Sequence, residues 1–539
     1  MSNIPDPILQ GLQRGWKVLG GKHGALPERV SCDVAIIGSG AGAGITAELL
    51  TKAGLNVVII EEGPLKSSTD FKQLEPEAYA SLYQENAGRK TKDKGITILQ
   101  GRSVGGTTTV NWTSSFRTPP ETLKFWQDRF GLKDYSVEAL APYFQQVQTR
   151  LNIEPWAVAP NENNELLRRG AAKLGIKAEV IPRNVKGCYN LGSCGMGCPT
   201  NAKQSMLVTT LPYALDRGAT LLVETRVEKM VIEGSRVTAL QCIAVKPNAA
   251  PAHPGGAVTT VVARHIVLAG GAINSPALLM RSKAPDPHQR LGGRTFLHPV
   301  AITTAVMAER VQAWTGAPQS IYSDHFMHTQ PVDGPIAFKL EVAPLHPVFF
   351  GANLPGFGES QAALFRQYPN ANVTLALMRD GFHPQSVGGK VELRSDGSPL
   401  LDYPLTDYVL EGARRAMLAM AQIQFEAGAR MVYPGHELAR GTSTWAETKA
   451  AIEALPMKPL LTRIGSAHVM GGCGLAADEK AGVTRPDGQH WQLDNLSIHD
   501  GSIFPTSIGA NPQLSIYGTV NRLAQGLAKR LTSKEVALA

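Results

Sequence analysis

The first apolar run of the chain predicts a strand that ends in a glycine turn. Residues 32–37 are mostly apolar, and the run stops at the glycine-rich segment 38–44. Apolar residues then return at helical spacing as far as Leu50, and a second apolar run, 57–60, ends at Glu61. Apolar runs of this kind are typical of strands covered on both faces, and the helical segment between them favours a crossover helix. The order predicts one βαβ unit of a doubly wound parallel sheet.

Beyond residue 61 the sequence is polar and irregular to about residue 95. Further along, a part that is rich in predicted strands precedes a part of mixed character. The mixed part, 301–464, is rich in prolines and scattered aromatic residues. Periodicity predicts a two-domain protein, α/β in one domain and α+β in the other. The predicted helices are 137–151, 165–174 and 408–428, and the predicted strands are 221–223, 227–232, 237–245, 265–271 and 391–393.

Composition and charge narrow the class of protein. A chain of 539 residues with 43% hydrophobic and 18% charged residues is globular and long enough for more than one core. The formal charge of +8 arises from 53 basic and 45 acidic residues without a long basic run. Because basic and stacking aromatic residues do not interleave, we expect a solvated basic surface and no nucleic-acid partner.

The N-terminal residues favour packing on the protein body. They carry no apolar stretch followed by a small-residue cleavage site, and nowhere does the chain offer the roughly 18 uncharged apolar residues that span a bilayer. Residues 8–19 could form one amphipathic face, for which peripheral membrane contact is the alternative to packing. We therefore expect no transmembrane segment and a cytoplasmic protein, with export to the periplasm by a partner subunit as the alternative.

The glycine turn and the acidic residue after the second strand suggest a dinucleotide site. Gly38, Gly40 and Ala43 follow the spacing that lets a backbone approach a pyrophosphate at a helix N-terminus. Glu61 lies about twenty residues further on, where an acid accepts hydrogen bonds from ribose hydroxyls. An ordinary helix start is the alternative, and the turn alone does not distinguish NAD from FAD.

Two further segments carry a family resemblance. Residues 101–111 (GRSVGGTTTVN) resemble the first signature of the glucose-methanol-choline oxidoreductase family, and residues 271–279 (GAINSPALL) resemble the second. With the βαβ unit and segment 465–530, the resemblance covers nearly the whole chain. It implies a Rossmann-like FAD-binding domain with a doubly wound sheet and a second, mixed α+β substrate-binding domain. The implied bounds are 1–29 for an N-terminal extension, 30–118 with 206–300 and 465–539 for the FAD-binding domain, and 119–205 with 301–464 for the substrate-binding or cap domain.

The resemblance implies FAD that is held without a covalent bond. Some relatives attach the flavin through a histidine just before the asparagine of the first signature, but here that position is Val110. Gly105, Gly106 and Asn111 are expected along the flavin, and the Val227 backbone is expected at the adenine. Further residues expected to bind the cofactor are Arg102, Asp500, Gly501 and Pro512.

The C-terminal segment resembles the catalytic part of the family. His468 and Asn511 stand where the family has a His and Asn pair. A neutral imidazole can accept the alcohol's proton near neutral pH while the carbon gives a hydride to flavin N5, and an amide can hydrogen-bond the oxygen as charge builds there. Pro512 at a helix start would direct the positive helix end towards the reduced flavin. His298, followed by a proline, is interpreted as a structural histidine.

Two stretches suggest the substrate. Residues 339–347 and 388–403 resemble the long-chain fatty alcohol oxidase branch of the family more than its sugar or choline branches. This implies an apolar, long-chain alcohol and a tunnel to which Phe349, Phe350 and Met378 could contribute. The electron acceptor is left open between oxygen, a quinone and a cytochrome.

Three of the six cysteines are close together in sequence. The spacing of Cys188, Cys194 and Cys198 resembles a segment of bacterial flavin dehydrogenase subunits that binds an iron-sulfur cluster, but Tyr189 replaces the cysteine that those proteins place beside the first. We predict unmodified thiols, with a disulfide or a three-iron cluster as alternatives and no other metal.

Other reactions on the same fold are weighed against alcohol oxidation. A pyridine-nucleotide-dependent reductase would need a second strand-glycine-helix site, and none follows the later strands. A lyase that keeps FAD as structure and a photoenzyme that decarboxylates fatty acids are the remaining alternatives. The photoenzyme is expected to lack the pair formed here by His468 and Asn511.

Overall fold

The computed structural model describes residues 4–245, 258–354 and 356–538. Residues 1–3 and 539, at the ends of the predicted N-terminal extension and FAD-binding domain, and 246–257 and 355 within the predicted domains, lie outside the described residues. The helices in chain order are α1 (Pro7–Gln13), α2 (Ala41–Lys52), α3 (Glu75–Leu82), α4 (Pro120–Phe130), α5 (Val137–Arg150), α6 (Glu162–Lys173), α7 (Thr210–Asp216), α8 (Asn274–Arg281), α9 (Pro347–Asn353), α10 (Gly358–Phe365), α11 (Asp407–Glu426), α12 (Trp445–Ala454) and α13 (Gln513–Thr532).

The strands divide between two larger sheets and several short pairs. In chain order they are β1 (Lys17–Leu19), β2 (Arg29–Ile37), β3 (Val57–Ile60), β4 (Ile96–Ile98), β5 (Ile153–Pro155), β6 (Glu179–Val180), β7 (Pro182–Asn184), β8 (Thr220–Leu222), β9 (Thr225–Glu233), β10 (Arg236–Ala244), β11 (Val258–Leu268), β12 (Thr295–Phe296), β13 (Val300–Met307), β14 (Ile321–Tyr322), β15 (Phe338–Val342), β16 (Ala371–Met378), β17 (Lys390–Leu393), β18 (Pro399–Asp402), β19 (Ala429–Pro434), β20 (Ile464–Ser466), β21 (Met470–Gly471) and β22 (Leu496–Ile498).

The first larger sheet has the order β1-β8-β3-β2-β11-β10-β9, with β22 also beside β11. Pairing is parallel from β1 to β11 and between β11 and β22, and antiparallel from β11 to β9. Residues 34–37 of the central strand are at most 7% exposed, as the continuous apolar run predicts. The carboxyl ends of β2, β3, β11 and β22 lie at one edge of the sheet, where open α/β sheets bind ligands.

The second larger sheet has the order β15-β16-β13-β20-β4, and β19 also pairs with β13. Helix α11 packs on one face of this sheet, where Gln424 donates a hydrogen bond to the carbonyl of Thr303. Successive side chains of a strand point to opposite faces of the sheet, so every second side chain points away from α11. That other face is turned towards the first sheet's carboxyl edge.

The N-terminal residues pack on the body. Ile8, Trp16 and Val18 are at most 9% exposed, which confirms the predicted packing for these side chains, whereas Leu9 is 40% exposed. The indole Nε1 of Trp16 donates to Asp216 over 2.7 Å, and β1 pairs in parallel with β8. Part of the predicted extension therefore enlarges the first sheet.

Helix α3 lies in the region that the sequence pattern predicts as irregular. Its first residue, Glu75, is 6% exposed and accepts hydrogen bonds from the backbone amides of Val348 and Phe349. Contacts between residues so far apart in the chain leave no signal in the local sequence pattern, which is why that pattern does not predict this helix.

Within residues 4–245, 258–354 and 356–538, no helix combines the length and the apolar character needed to cross a membrane.

Candidate active site

A cavity of about 1320 Å³ opens between the carboxyl edge of the first sheet and the inner face of the second. Most of the residues predicted to bind the cofactor or to act in catalysis line it: Gly38, Gly40, Glu61, Arg102, Gly106, Asn111, Val227, His468, Asp500, Gly501, Asn511 and Pro512. The cavity therefore brings together segments that are more than 470 residues apart.

The glycine turn forms the floor of one end of the cavity. Gly38 has φ +100°, and a Cβ added there would lie 2.3 Å from the carbonyl oxygen of Ala269. Gly40 precedes α2, and a Cβ added there would meet only the Cα of Gly106, at 3.9 Å. A side chain at Gly40 would thus occupy the space beside the N-terminus of α2, and a helix N-terminus is the kind of place that can bind a phosphate group.

Glu61 lies beside this turn at the end of β3. Ser39 donates its hydroxyl to Glu61 Oε2 over 2.6 Å, and the amide of Gly63 donates to Oε1 over 2.8 Å. Burial raises the pKa of Glu61 to about 7, against the opposing effect of these hydrogen bonds. Each carboxylate oxygen retains a lone pair for a ribose hydroxyl.

Arg102 reaches the same end of the cavity but is directed to Glu62. Its Nε lies 3.5 Å from Glu62 Oε1, and both side chains are mostly buried. The structure therefore gives Arg102 a protein partner beside the expected ribose position.

Two residues predicted to bind the cofactor do not line the cavity. Ala43 is fully buried inside α2. Gly105 has φ +89°, and its amide donates to the hydroxyl of Ser39 over 3.0 Å. Ala43 is therefore part of the hydrophobic core, and Gly105 joins its loop to Ser39 through a backbone hydrogen bond.

Asp500 joins the second signature segment to the C-terminal segment. Its Oδ2 accepts hydrogen bonds from the amide of Gly271 over 2.8 Å and from the hydroxyl of Ser275 over 2.5 Å. Its Oδ1 accepts from the amide of Ser502 over 2.8 Å. Burial raises the pKa of this carboxyl. Asp500 thereby fixes the loop that carries Gly501.

Asn111 is held by a residue of the C-terminal helix. Its Nδ2 donates to Gln513 Oε1 over 2.7 Å. Gln513 is the first residue of α13, Pro512 is its N-cap, and both line the cavity. The N-terminus of a 20-residue helix therefore faces the cavity. Val227 lines another part of the wall, where its carbonyl accepts from Arg281 over 3.5 Å.

His468 follows β20 and contacts a second histidine. Its Nδ1 lies 3.0 Å from Nδ1 of His298, and the two rings stack with centroids 5.2 Å apart. Burial, followed by the charge of Lys339, lowers the pKa of His468 to about 3. Burial likewise holds the pKa of His298 well below its ordinary value. Both imidazoles are therefore neutral at pH 7, so one Nδ1 donates and the other accepts.

His298 itself is fixed by its backbone. It is fully buried at φ +47°, and its amide donates to Asp380 Oδ1 over 3.0 Å. Its Nε2 is buried without a hydrogen-bond partner among the described residues. His298, which its sequence context indicates to be a structural histidine, thus also contacts His468 directly.

Asn511 contacts a buried ion pair. Its Nδ2 donates to Glu341 Oε2 over 3.1 Å, and its Oδ1 accepts from Lys339 Nζ over 3.4 Å. Lys339 Nζ and Glu341 Oε1 are 3.2 Å apart, and the two side chains are 3% and 0% exposed. Charged and apolar residues alternate along β15, and such alternation is typical of a strand with one exposed face. The sequence pattern therefore gives no signal that this pair is buried.

The inner face of the second sheet forms an apolar wall. It carries Val300 and Ile302 from β13 and Leu375 and Leu377 from β16. Phe349 also lines the cavity, as predicted. Phe350 and Met378, which were expected in the same wall, do not line it: they are at most 2% exposed and belong to the core of the second sheet.

The three clustered cysteines lie close to two buried cations. Cys194 Sγ lies 3.8 Å from Arg183 Nη2, and Lys203 donates to the carbonyl of Cys194 over 2.7 Å. Cys188 and Cys198 are free thiols, as is Cys194. Among the described residues, no group of three or more His, Cys, Asp or Glu side chains is arranged to hold a metal ion.

Comparison with known proteins gives consistent matches over most of the chain. The GMC oxidoreductase family model matches in two parts, over residues 79–300 and 384–519. The long-chain-alcohol oxidase FAO1 of Arabidopsis thaliana is 27% identical over 529 residues, which are 93% of this chain and 68% of the relative. An uncharacterized GMC-type oxidoreductase of Sinorhizobium fredii is 29% identical over 508 residues, 92% of this chain and 94% of the relative.

Solved structures share the fold. Pyridoxine 4-oxidase from Mesorbium loti superposes with a TM-score of 0.69 at 19% identity and covers 92% of this chain and 99% of its own. A variant of formate oxidase from Aspergillus oryzae superposes with a TM-score of 0.70 at 14% identity and covers 94% of this chain and 99% of its own. At these identities the likeness concerns the fold alone, and it confirms the predicted combination of a doubly wound α/β domain and a mixed α+β domain.

Proposed function

The chain belongs to the GMC oxidoreductase family, and from this premise we propose that it oxidises an apolar alcohol with His468 as general base and Asn511 as hydrogen-bond donor to the alcohol oxygen. The family confirms the FAD cofactor and the enzyme class, an FAD-dependent alcohol oxidoreductase, that the sequence predicts. The observation that carries the proposal is that His468, Asn511 and the glycine turn line one cavity.

The residues around the cavity fit FAD. Glycines stand where a Cβ would fill the space at the N-terminus of α2, and Glu61 lies beside them with free lone pairs. We propose that the turn at Gly38 and Gly40 binds the pyrophosphate, that Glu61 binds the ribose, and that Asn111 lies along the flavin. Bound FAD supplies the acceptor for the hydride. Val110 offers no nucleophile for a covalent link, so we propose that the cofactor is held without one.

His468 supports the base role through its protonation state and its fixed orientation. Its imidazole is neutral at pH 7 and can accept the hydroxyl proton. We propose that His468 donates its Nδ1–H to His298 Nδ1, so that Nε2 of His468 keeps the lone pair that accepts the hydroxyl proton. A base whose other ring nitrogen is already engaged keeps one orientation during the reaction.

Asn511 supports the second role through its remaining N–H. One hydrogen of Nδ2 is donated to Glu341, which leaves the other for an alcohol oxygen on the cavity side. A donor fixed before the reaction stabilises the negative charge that builds on that oxygen as the proton leaves. The N-terminus of α13, which begins after Asn511, adds a positive dipole end at the same wall.

The apolar wall favours an apolar substrate. Val300, Ile302, Leu375 and Leu377 present no hydrogen-bonding side chain for a sugar or a charged headgroup. The relatives named long-chain-alcohol oxidases support a long-chain alcohol as the substrate, and the word oxidase in their names supports oxygen as the electron acceptor. A quinone or a cytochrome is the alternative acceptor.

The proposal is tested by adding primary alcohols of increasing chain length to the FAD-loaded protein without air. We expect the visible flavin absorbance to bleach, most readily with the longer alcohols, and to return when air is admitted. If the flavin absorbance returns slowly in air but rapidly when a quinone is added, the electron acceptor is a quinone and not oxygen. Absence of bleaching with every alcohol would contradict the redox function and favour a lyase or a photoenzyme.

A further inference from the structure

A buried ion pair stands at the end of the apolar wall. Lys339 and Glu341 alternate on β15, and the strand register places them opposite Leu377 and Leu375, which line the cavity. Their side chains are therefore on the same sheet face as the apolar wall. Burying two charges costs several kcal/mol per ion, and the pair offsets this only with good geometry and further hydrogen bonds. Stability alone does not account for a pair at this place.

The pair contacts the Asn511 side chain at both ends of its amide. Lys339 is 3.4 Å from Oδ1 and Glu341 is 3.1 Å from Nδ2. An ammonium only donates and a carboxylate only accepts, so the amide has one favourable orientation between them. Turning the amide by 180° would place its NH2 group against the ammonium and its oxygen against the carboxylate.

The surroundings hold Lys339 in this position. Its Nζ lies 2.8 Å from the ring centroid of Phe116 and 4.4 Å from that of Tyr322. Aromatic faces attract an ammonium and limit its movement. Besides Glu341, the acidic group that acts on Lys339 is Asp324.

We infer that Lys339 and Glu341 are positioning residues for the alcohol oxidation: they fix the Asn511 amide with its free N–H towards the alcohol oxygen. The inference rests on the proposed roles of His468 and Asn511. The ordered amide matters because a donor that must first turn over in the transition state stabilises charge less than one that is already in place. His468 is faced by the charge of Lys339 and by the neutral His298.

The test measures the rate of flavin reduction by a saturating alcohol, without air, in Lys339→Met, Glu341→Gln and the double variant. We expect each single variant to reduce flavin about 10- to 100-fold more slowly, the scale of losing one preorganised donor or less. A single substitution leaves one buried charge without its partner, which can unfold the protein. The double variant leaves no such charge, so it is expected to keep the fold if either single variant does not. FAD content and thermal unfolding are recorded for each protein.

Two readouts separate positioning from a structural role. In an Asn511→Ala background the same substitutions should change the rate less than about threefold, because residues that act through one group are not additive. In Lys339→Met the acid limb of the pH profile should move upward, since a nearby positive charge lowers the pKa of an imidazole, whereas a merely structural change would leave the limb in place.

The matched control is the exposed pair Lys449 and Glu453, whose side chains are 50% and 48% exposed. Lys449→Met and Glu453→Gln should reduce flavin at the wild-type rate. The inference is overturned if the Lys339 and Glu341 variants reduce flavin at the rate of these controls. It is also overturned if the two substitutions slow reduction as much in the Asn511→Ala background as in the wild type. In both cases the proposed function stands. If no alcohol reduces the wild-type flavin, the proposed function fails and the inference fails with it.

Discussion

Replacing Gly38 by alanine tests the glycine turn as the place where the cofactor binds. The residue has φ +100°, where an L side chain costs about 1–2 kcal/mol of folding free energy. The new Cβ would also lie 2.3 Å from the Ala269 carbonyl, so β2 or β11 must shift, at a cost of about 1–3 kcal/mol more. The sum, about 2–5 kcal/mol, is a large part of typical protein stability.

Gly218 provides the matched control. Its φ is +90°, and an added Cβ would meet nothing within 4 Å. Gly218→Ala therefore carries the conformational cost without the collision, and it lies away from the cavity wall. We expect the thermal midpoint to fall more in Gly38→Ala than in Gly218→Ala.

The assay follows thermal unfolding and the FAD that stays bound after gel filtration. We expect Gly38→Ala to lose FAD, because the displaced turn no longer presents its amides to the pyrophosphate, and Gly218→Ala to retain it. If Gly38→Ala unfolds like Gly218→Ala and keeps its FAD, the collision and the pyrophosphate site at this turn are both refuted.

His468→Ala should slow flavin reduction about 10²- to 10⁴-fold, the usual contribution of a general base, while FAD stays bound; a wild-type rate in stopped-flow absorbance would remove His468 from the mechanism. Asn511→Ala should slow reduction by a smaller factor, about 10²-fold, which is the low end of the usual cost of losing one preorganised donor; full activity in the same assay would leave Asn511 a structural residue. Because the pKa of His468 is lowered to about 3, its neutral base form persists as the pH falls, and kcat/KM should decrease only well below pH 6.5, the ordinary pKa of histidine. An acid limb with its midpoint at or above pH 6.5 would contradict this environment of His468.

The backbone of the cofactor site could be predicted from local sequence. The run before Gly38, the helix after it and Glu61 at the end of the next strand are all short-range features, and the structure places them at one sheet edge. The antiparallel strands β9 and β10 and the long helix α11 also follow from periodicity. Helix α3 does not, since its buried Glu75 depends on backbone amides more than 270 residues away.

The environment of the catalytic residues could not be predicted in the same way. His298 contacts His468 across 170 residues, and Lys339 contacts Asn511 across 172. A histidine before a proline and a lysine two residues from a glutamate are ordinary in sequence, and only the tertiary structure shows that they contact His468 and Asn511, which line the cavity. The side chains around a reacting group are set by tertiary contacts that no local pattern encodes.

The most direct test of the central claim is flavin reduction, without air, by a long-chain primary alcohol with and without deuterium on its carbinol carbon. The account predicts that the flavin absorbance bleaches and that the deuterated alcohol bleaches it more slowly at saturating concentration, because the bond from that carbon to hydrogen breaks as the hydride leaves. No bleaching, or bleaching at the same rate with both alcohols, would contradict hydride transfer from the hydroxyl-bearing carbon as the reaction of this site.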